Sequence, residues 1–199
     1  MKARASSGNP GEPCPGSTRT DGTGTDGTST TRVDHGVPLP RPLGGGHLGC
    51  TEFTALPHTT VVADLHCATG PTSTDHEWFG IAATTVLDLA QPSPDVTHVM
   101  AWAEYGYAAN LRLRDFTAPE TLLATHHNGE LLTAEHGFPL RLVVPHLYGY
   151  KSPKWLRGIE YLTEDRRGFW EARGYHNVGD PWKEQRYAHQ EREGEGPAL

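Results

Sequence analysis

The chain has 199 residues, of which 36% are hydrophobic and 21% charged, and a net charge of −7. A chain of this length buries a core without disulfide staples, and so acidic a one is poorly suited to nucleic acid, which needs a basic face. All 5 Trp, 7 Tyr and 5 Phe lie after residue 50, so the folding unit is the last three-quarters of the sequence.

Residues 1–46 are rich in Gly, Ser, Thr and Pro (TRTDGTGTDGTSTTR, then PLPRPLGGG). Such a composition cannot bury enough apolar area to offset chain entropy, and a disordered tail is expected. The opening MKARASSGNPGEPCPG has basic residues but no apolar stretch after them and no twin-arginine pair. It does not read as an export signal, so a cytoplasmic location is expected. No run reaches the roughly 18 consecutive apolar residues of a membrane span. Cys14, Cys50 and Cys67 are odd in number and widely spaced, which argues against a disulfide framework. The globular body is placed at 51–190, with a flexible C-terminus at 191–199.

Within the body, residues 51–56 can form a short helix that Pro57 ends. The β-branched run TTVVADL at 59–65 reads as a strand leading into His66 and Cys67, with a turn-rich segment at 69–73. Residues 81–89 read as a helix closed by Gln91-Pro92-Ser93-Pro94, 97–103 as a strand and 110–113 as a further extended piece. A short helix is predicted at 118–123, a hairpin turn at His127-Asn128-Gly129-Glu130, and strands at 140–144 and 155–162. Short strands mixed with short helices, without a βαβ rhythm, indicate an α+β fold with mixed sheets.

Four groups of residues can carry chemistry. Cys67, where a strand gives way to a loop, is a nucleophile, a soft-metal ligand or a buried small hydrophobe; residue type alone favours the last. HGFPLRLVVP, from His136 to Pro145, places Arg141 at the start of a strand, and Lys151, Ser152 and Lys154 follow a glycine turn. Arg, Lys and Ser in such loops can hold an anion, although composition alone slightly favours ordinary surface charges on a β-hairpin. Tyr105 and Tyr107 flank Gly106 and can present a hydroxyl to a pocket, yet strand tyrosines more often pack. The adjacent His126 and His127 face opposite ways on an extended chain, which disfavours a shared metal. HExxH, CxxC, GxGxxG and Walker patterns are absent from the sequence, so zinc-protease, Rossmann and P-loop readings fall away.

In order, DLHCATG, WFG, YGYAANLRL, LLATHHNGELLTAEHGFPLRLVVPHLYGYKSPKWLRGIE and GFWEARGYHNVGDPWKEQRY resemble the molybdopterin-binding domain of the sulfite oxidase family. They are most similar to its short bacterial sulfite oxidase-like members. The resemblance runs from about Phe53 to Tyr187. It implies a molybdenum-molybdopterin cofactor (Moco) and two-electron oxygen-atom transfer on a small-molecule oxo donor or acceptor, with electrons exchanged through a separate partner. Cys67 would be the thiolate ligand of molybdenum and Tyr107 the catalytic tyrosine beside it. His66, His136, Arg141, Lys151, Ser152, Pro153 and Lys154 would hold the cofactor and its phosphate.

The sequence departs from the family in three places. Pro71 stands where relatives carry Trp. The arginines that relatives place soon after the ligating cysteine are missing, which counts against sulfite as substrate. RVDHGVPLPRPLGGGHLGC replaces the Trp-rich N-terminal strands, so a non-catalytic molybdopterin-binding or interaction protein with a degraded N-terminus is the alternative. A cysteine hydrolase using Cys67 and a histidine base ranks last.

Overall fold

The computed structural model describes Leu48 and residues 50–198; the predicted tail at 1–46 lies outside them. Helix α1 (Cys50–Thr54) precedes strand β1 (Thr59–His66), which turns back into β2 (Thr72–Ala82). Helix α2 (Ala83–Ala90) leads to β3 (His98–Ala103), β4 (Ala108–Arg112) and the single turn α3 (Leu113–Phe116). Then come β5 (Leu122–His127), β6 (Glu130–Leu131), β7 (Arg141–Val143) and β8 (Leu156–Leu162), after which 3-10 turns carry the chain onward.

Two sheets result. One runs β1-β2-β5-β6, with β7 also on β5, and the other runs β4-β3-β8. The fold class is α+β, as expected, and every ladder is antiparallel. The parallel pairing is an isolated bridge between His66 and Tyr148.

Alternation along β5 and β7 explains how one sheet serves two cores. Leu123 and Leu142 join Val99, Ala101, Leu111 and Phe116 between the sheets. Their neighbours Leu122, Ala124 and Val143 turn the other way and pack with Trp78 and Leu132. With a side-chain period of two, these apolar runs are buried on both faces. Arg141, two residues from Val143, faces the Trp78 side, its guanidinium carbon 5.0 Å from the indole centroid.

Several expectations change. The predicted helix at 81–89 starts two residues late, because β2 extends through Ile81 and Ala82, which pair with Leu123 and Leu122. The predicted helix at 118–123 is instead a turn, with the Thr121 N–H donating to Ala118 O, followed by the start of β5. A short apolar run fits helix and strand equally well, and burial on both faces of a sheet decides for strand. The extended piece ends at Arg112, where α3 begins. The hairpin turn forms as read, with Asn128 and Gly129 at φ of 51° and 81°. Gly80 is required where β2 bulges against β5, since a Cβ there would collide with the Leu123 carbonyl.

The C-terminal stretch, expected to be flexible, folds back on the body. Arg167 donates to both Glu191 carboxylate oxygens and to Pro197 O, and Asn177 Nδ2 donates to Glu195 O. Glu191 and Pro197, in the stretch expected to be flexible, are therefore partners for an arginine 24 and 30 residues earlier in the chain.

Candidate active site

Strand β1 delivers His66 and Cys67 to the mouth of a cavity. The turn that follows is held by the Cys67 N–H donating to Pro71 O (2.9 Å) and the Gly70 N–H donating to Cys67 O (3.0 Å). Gly70 sits at φ +127°, a conformation that glycine alone adopts without strain. Cys67 is exposed, with Sγ 3.1 Å from Thr69 Oγ1. Hydrogen bonds from the Thr69 side chain and backbone hold the thiol below its ordinary pKa, and the positive charge of Arg186 adds to them. A thiol so poised is a good thiolate ligand for a soft metal. His66 is not its base: His66 Nδ1 lies 3.0 Å from Thr72 Oγ1 and its ring meets Trp182 edge-on at 5.3 Å. The hydrolase reading thus lacks its histidine.

The cavity has a volume of about 460 Å³ and is lined by Leu65, His66, Cys67, Ala68, Thr69, Pro71, Thr72, Ser73, Gly149, Tyr150, Trp170 and Tyr175. No Lys, Arg, Asp or Glu is among them. Tyr107, the tyrosine expected here, is not in the wall. Its hydroxyl donates to Tyr150 O at 2.5 Å and its ring packs on Phe169; burial, its largest influence, pushes its pKa well up. Tyr150 is in the wall, but its hydroxyl donates to His176 O. Tyr175 is the lining tyrosine whose hydroxyl is not committed to another described residue. Sequence reading missed Tyr175, although it lies inside the quoted GFWEARGYHN segment.

Arg186 was missed as well. It donates to Ala68 O, beside Cys67, while Glu184 grips its other side and Tyr148 lies under its guanidinium at 5.1 Å. An arginine does reach the cysteine loop, then, but from 118 residues away, and it braces the loop rather than facing the cavity.

The HGFPLR segment folds as a tight unit. Thr133 caps the 3-10 turn Ala134–His136, with Thr133 Oγ1 2.7 Å from His136 Nδ1. Gly137 follows at φ +104°, and a Cβ there would stand 2.9 Å from Lys154 Cβ and 3.2 Å from Arg141 Cβ. Its bare Cα is what lets Lys154 and Arg141 approach one another. Arg141 is 5% exposed, donates to His136 O (3.2 Å) and more weakly to Ser152 O (3.4 Å), and leaves its buried Nε without a partner. Burial lowers its pKa to about 10, which leaves it cationic at neutral pH. Among the described residues it has no ion-pair partner. Lys154 donates to Glu135 O (2.7 Å); burial, then the charge of Arg141, depresses its pKa. Ser152 Oγ accepts from the Val144 N–H and Pro153 O accepts from the Leu142 N–H, so both residues splice this loop to β7.

Lys151, expected to reach the cofactor, points into the core. It is fully buried, with Nζ 2.5 Å from Glu171 Oε1 and bonded to Asn110 O, Asn110 Oδ1 and Asn177 O. Every donor of the ammonium is used, leaving none for a ligand.

An exposed thiol just past a strand end and a buried guanidinium with no ion-pair partner among the described residues are donors of the kind that a soft metal and an anion take. The orphaned Arg141 Nε, the cradle at Gly137 and the activated thiol all fit an anionic molybdenum cofactor. Comparison with known proteins agrees. The family model for the oxidoreductase molybdopterin binding domain matches residues 43–170, and the chain belongs to that family, whose cofactor is molybdenum-molybdopterin. It is 47% identical to the uncharacterized oxidoreductase YuiH of Bacillus subtilis, over 70% of this chain and 71% of YuiH. It is 30% identical to a putative protein-methionine-sulfoxide reductase subunit, YedZ1, of Azospira oryzae, over 64% of this chain and 48% of the relative. The sulfane dehydrogenase SoxCD of Paracoccus pantotrophus shares the fold, with a TM-score of 0.53 and 24% identity over 57% of this chain and 34% of that one.

Proposed function

We propose that the protein interconverts a small neutral organic S-oxide or N-oxide and its deoxygenated form, the oxide losing its oxygen atom as it gains two electrons and two protons with release of water, or the reverse, using a molybdenum-molybdopterin cofactor ligated by Cys67. The observation that carries this reading is the cavity: it opens directly on the exposed Cys67 thiol and has no charged side chain in its wall. A sulfite dianion would enter it without a counter-charge, whereas an uncharged molecule with an apolar substituent finds Leu65, Pro71 and Trp170. The methionine-sulfoxide reductase subunit among the relatives points the same way.

When bound, the cofactor supplies the oxygen-atom transfer. The chain's own residues hold and orient it. Cys67 ligates the metal from a turn fixed by Gly70 and Pro71. Arg141 and Lys154 hold the phosphate, and His136, Ser152 and Pro153 keep those two in place. Tyr175 offers its hydroxyl to the substrate oxygen, and Tyr150 and Trp170 exclude water beside it. Electrons pass to or from a separate partner.

The test is metal and pterin analysis of the full chain made in a cofactor-competent host, followed by turnover assays with an artificial electron donor. Expected are near-stoichiometric molybdenum, its loss in Cys67→Ser, and reduction of dialkyl sulfoxides or amine N-oxides in preference to oxidation of sulfite. Tyr175→Phe should lower kcat by about 10²-fold, the scale for removing one positioned donor, and Tyr107→Phe far less. Stoichiometric cofactor with no turnover of any such compound would return the protein to the non-catalytic alternative.

A further inference from the structure

Beside Arg141 lie two histidines that the proposed reaction does not use. His76 Nδ1 and His127 Nε2 are 2.7 Å apart, a hydrogen bond in which one ring must donate and the other accept. His127 stacks on Trp78 at 4.2 Å and its centroid is 5.7 Å from that of His136. Arg141 covers the same Trp78 ring, and Gly137 brings Lys154 against Arg141. Five basic side chains from β2, β5, the 133–137 turn, β7 and the 152–155 loop are thus in one connected group.

None of the five is in an ion pair among the described residues, whereas Arg112, Arg157, Arg166, Arg167 and Arg186 all are. His76 Nε2 is buried without a partner, as is Arg141 Nε. From β1 the residue opposite His76 is Ala63, and from β6 the residue opposite His127 is exposed Glu130, which makes no ion pair with it. Two nitrogens at 2.7 Å point at each other rather than around a common ion, and the described residues contain no cluster of three or more His, Cys, Asp or Glu side chains arranged to hold a metal. Cations without an ion pair and buried nitrogens without a partner suit an oxyanion instead.

We propose that His76 and His127 form a proton-gated extension of the Arg141–Lys154 anion site, gripping a tetrahedral oxyanion such as a phosphate group more tightly when the pair carries a proton. That the phosphate is the cofactor's rests on the function proposed above; the anion site itself does not. Burial and the positive charges of His76, His136 and Arg141 depress the pKa of His127, which disfavours a proton there while the site is empty. An incoming anion reverses that balance, and binding then takes up a proton at the shared hydrogen bond.

Sulfate is the probe, because it keeps its double charge across the histidine range, and the full chain prepared without cofactor is the sample. Histidine side-chain nuclear magnetic resonance follows the titration at about pH 5.5 and about pH 8, on either side of the ordinary histidine pKa. Saturable binding about tenfold tighter at the lower pH is expected, within the usual range of site-to-site coupling, with His76 and His127 signals moving. In His76→Asn and His127→Gln the pH dependence should vanish while binding through Arg141 and Lys154 persists. Equal affinity at the two pH values, a pH dependence unchanged in both variants, or no saturable binding would each overturn the proposal. The wild-type signals decide the matter even if a variant fails to fold. Cys67→Ser, which abolishes molybdenum binding under the proposed function, should leave the sulfate result unchanged, so the two readings fail separately.

Discussion

Arg141 and Lys151 stand ten residues apart, both buried and both expected from sequence to hold a phosphate, yet the structure treats them in opposite ways. Lys151 has Glu171 at 2.5 Å and three further acceptors. Arg141 has two backbone carbonyls, an indole face and an unpaired Nε. A buried cation with its counter-charge inside the fold is part of the architecture. One with no counter-charge among the described residues suits the ligand-holding role proposed above, because an unneutralised buried charge is costly and folding alone gives no reason to keep it.

The comparison can be broken most decisively at Lys151. Lys151→Met should destabilise the chain by about 3–5 kcal/mol in urea denaturation, the cost of stranding a buried carboxylate, and adding Glu171→Leu should recover most of it. Were the single variant stable but unable to retain molybdopterin, Lys151 would belong with the ligand contacts after all. Arg141→Gln should behave conversely. Without cofactor its stability should match or exceed wild type, while molybdopterin retention falls roughly 10- to 100-fold, as expected for losing a charge-assisted hydrogen bond. Gly137→Ala, which forces a Cβ against Lys154, should cost about 1–3 kcal/mol and weaken retention through displacement of both cations.

The smallest effect is on pH dependence. The folded-state pKa values of His127 and His176 are both depressed, chiefly by burial. The unfolded chain therefore binds more protons once pH drops below the ordinary histidine value of about 6.5, and stability should decline from there towards lower pH. Denaturation midpoints measured between about pH 5 and 7 check this, and His127→Gln should flatten the slope in that histidine window.

Much of the site was legible as text. Thr59 to His66 is β-branched enough to announce a strand, and the glycine and proline after Cys67 mark the turn that holds the thiol. His136 and Arg141 of HGFPLR and Lys154 of KSPKW, grouped from the sequence, lie close together in the structure. The tyrosines were not legible. Tyr107 and Tyr175 each sit beside a glycine in an aromatic-rich segment, and nothing local distinguishes a hydroxyl bonded to a backbone carbonyl from one left facing a cavity. The His76–His127 pair was hidden for a related reason: a bulge in β2 against β5 sets which histidine of His126-His127 faces His76.

The sequence by itself determined the fold class, the strand that leads into Cys67, the glycine turns and the family, because these depend on composition and on motifs whose spacing is short. Only the tertiary structure decided which cation is neutralised, which tyrosine hydroxyl in the cavity wall is left uncommitted and which arginine braces the cysteine loop. Those depend on partners 20 to more than 100 residues away, such as Glu171 for Lys151 and Ala68 for Arg186. Side-chain direction and counter-charge are properties of packing between distant elements, and no local pattern encodes them.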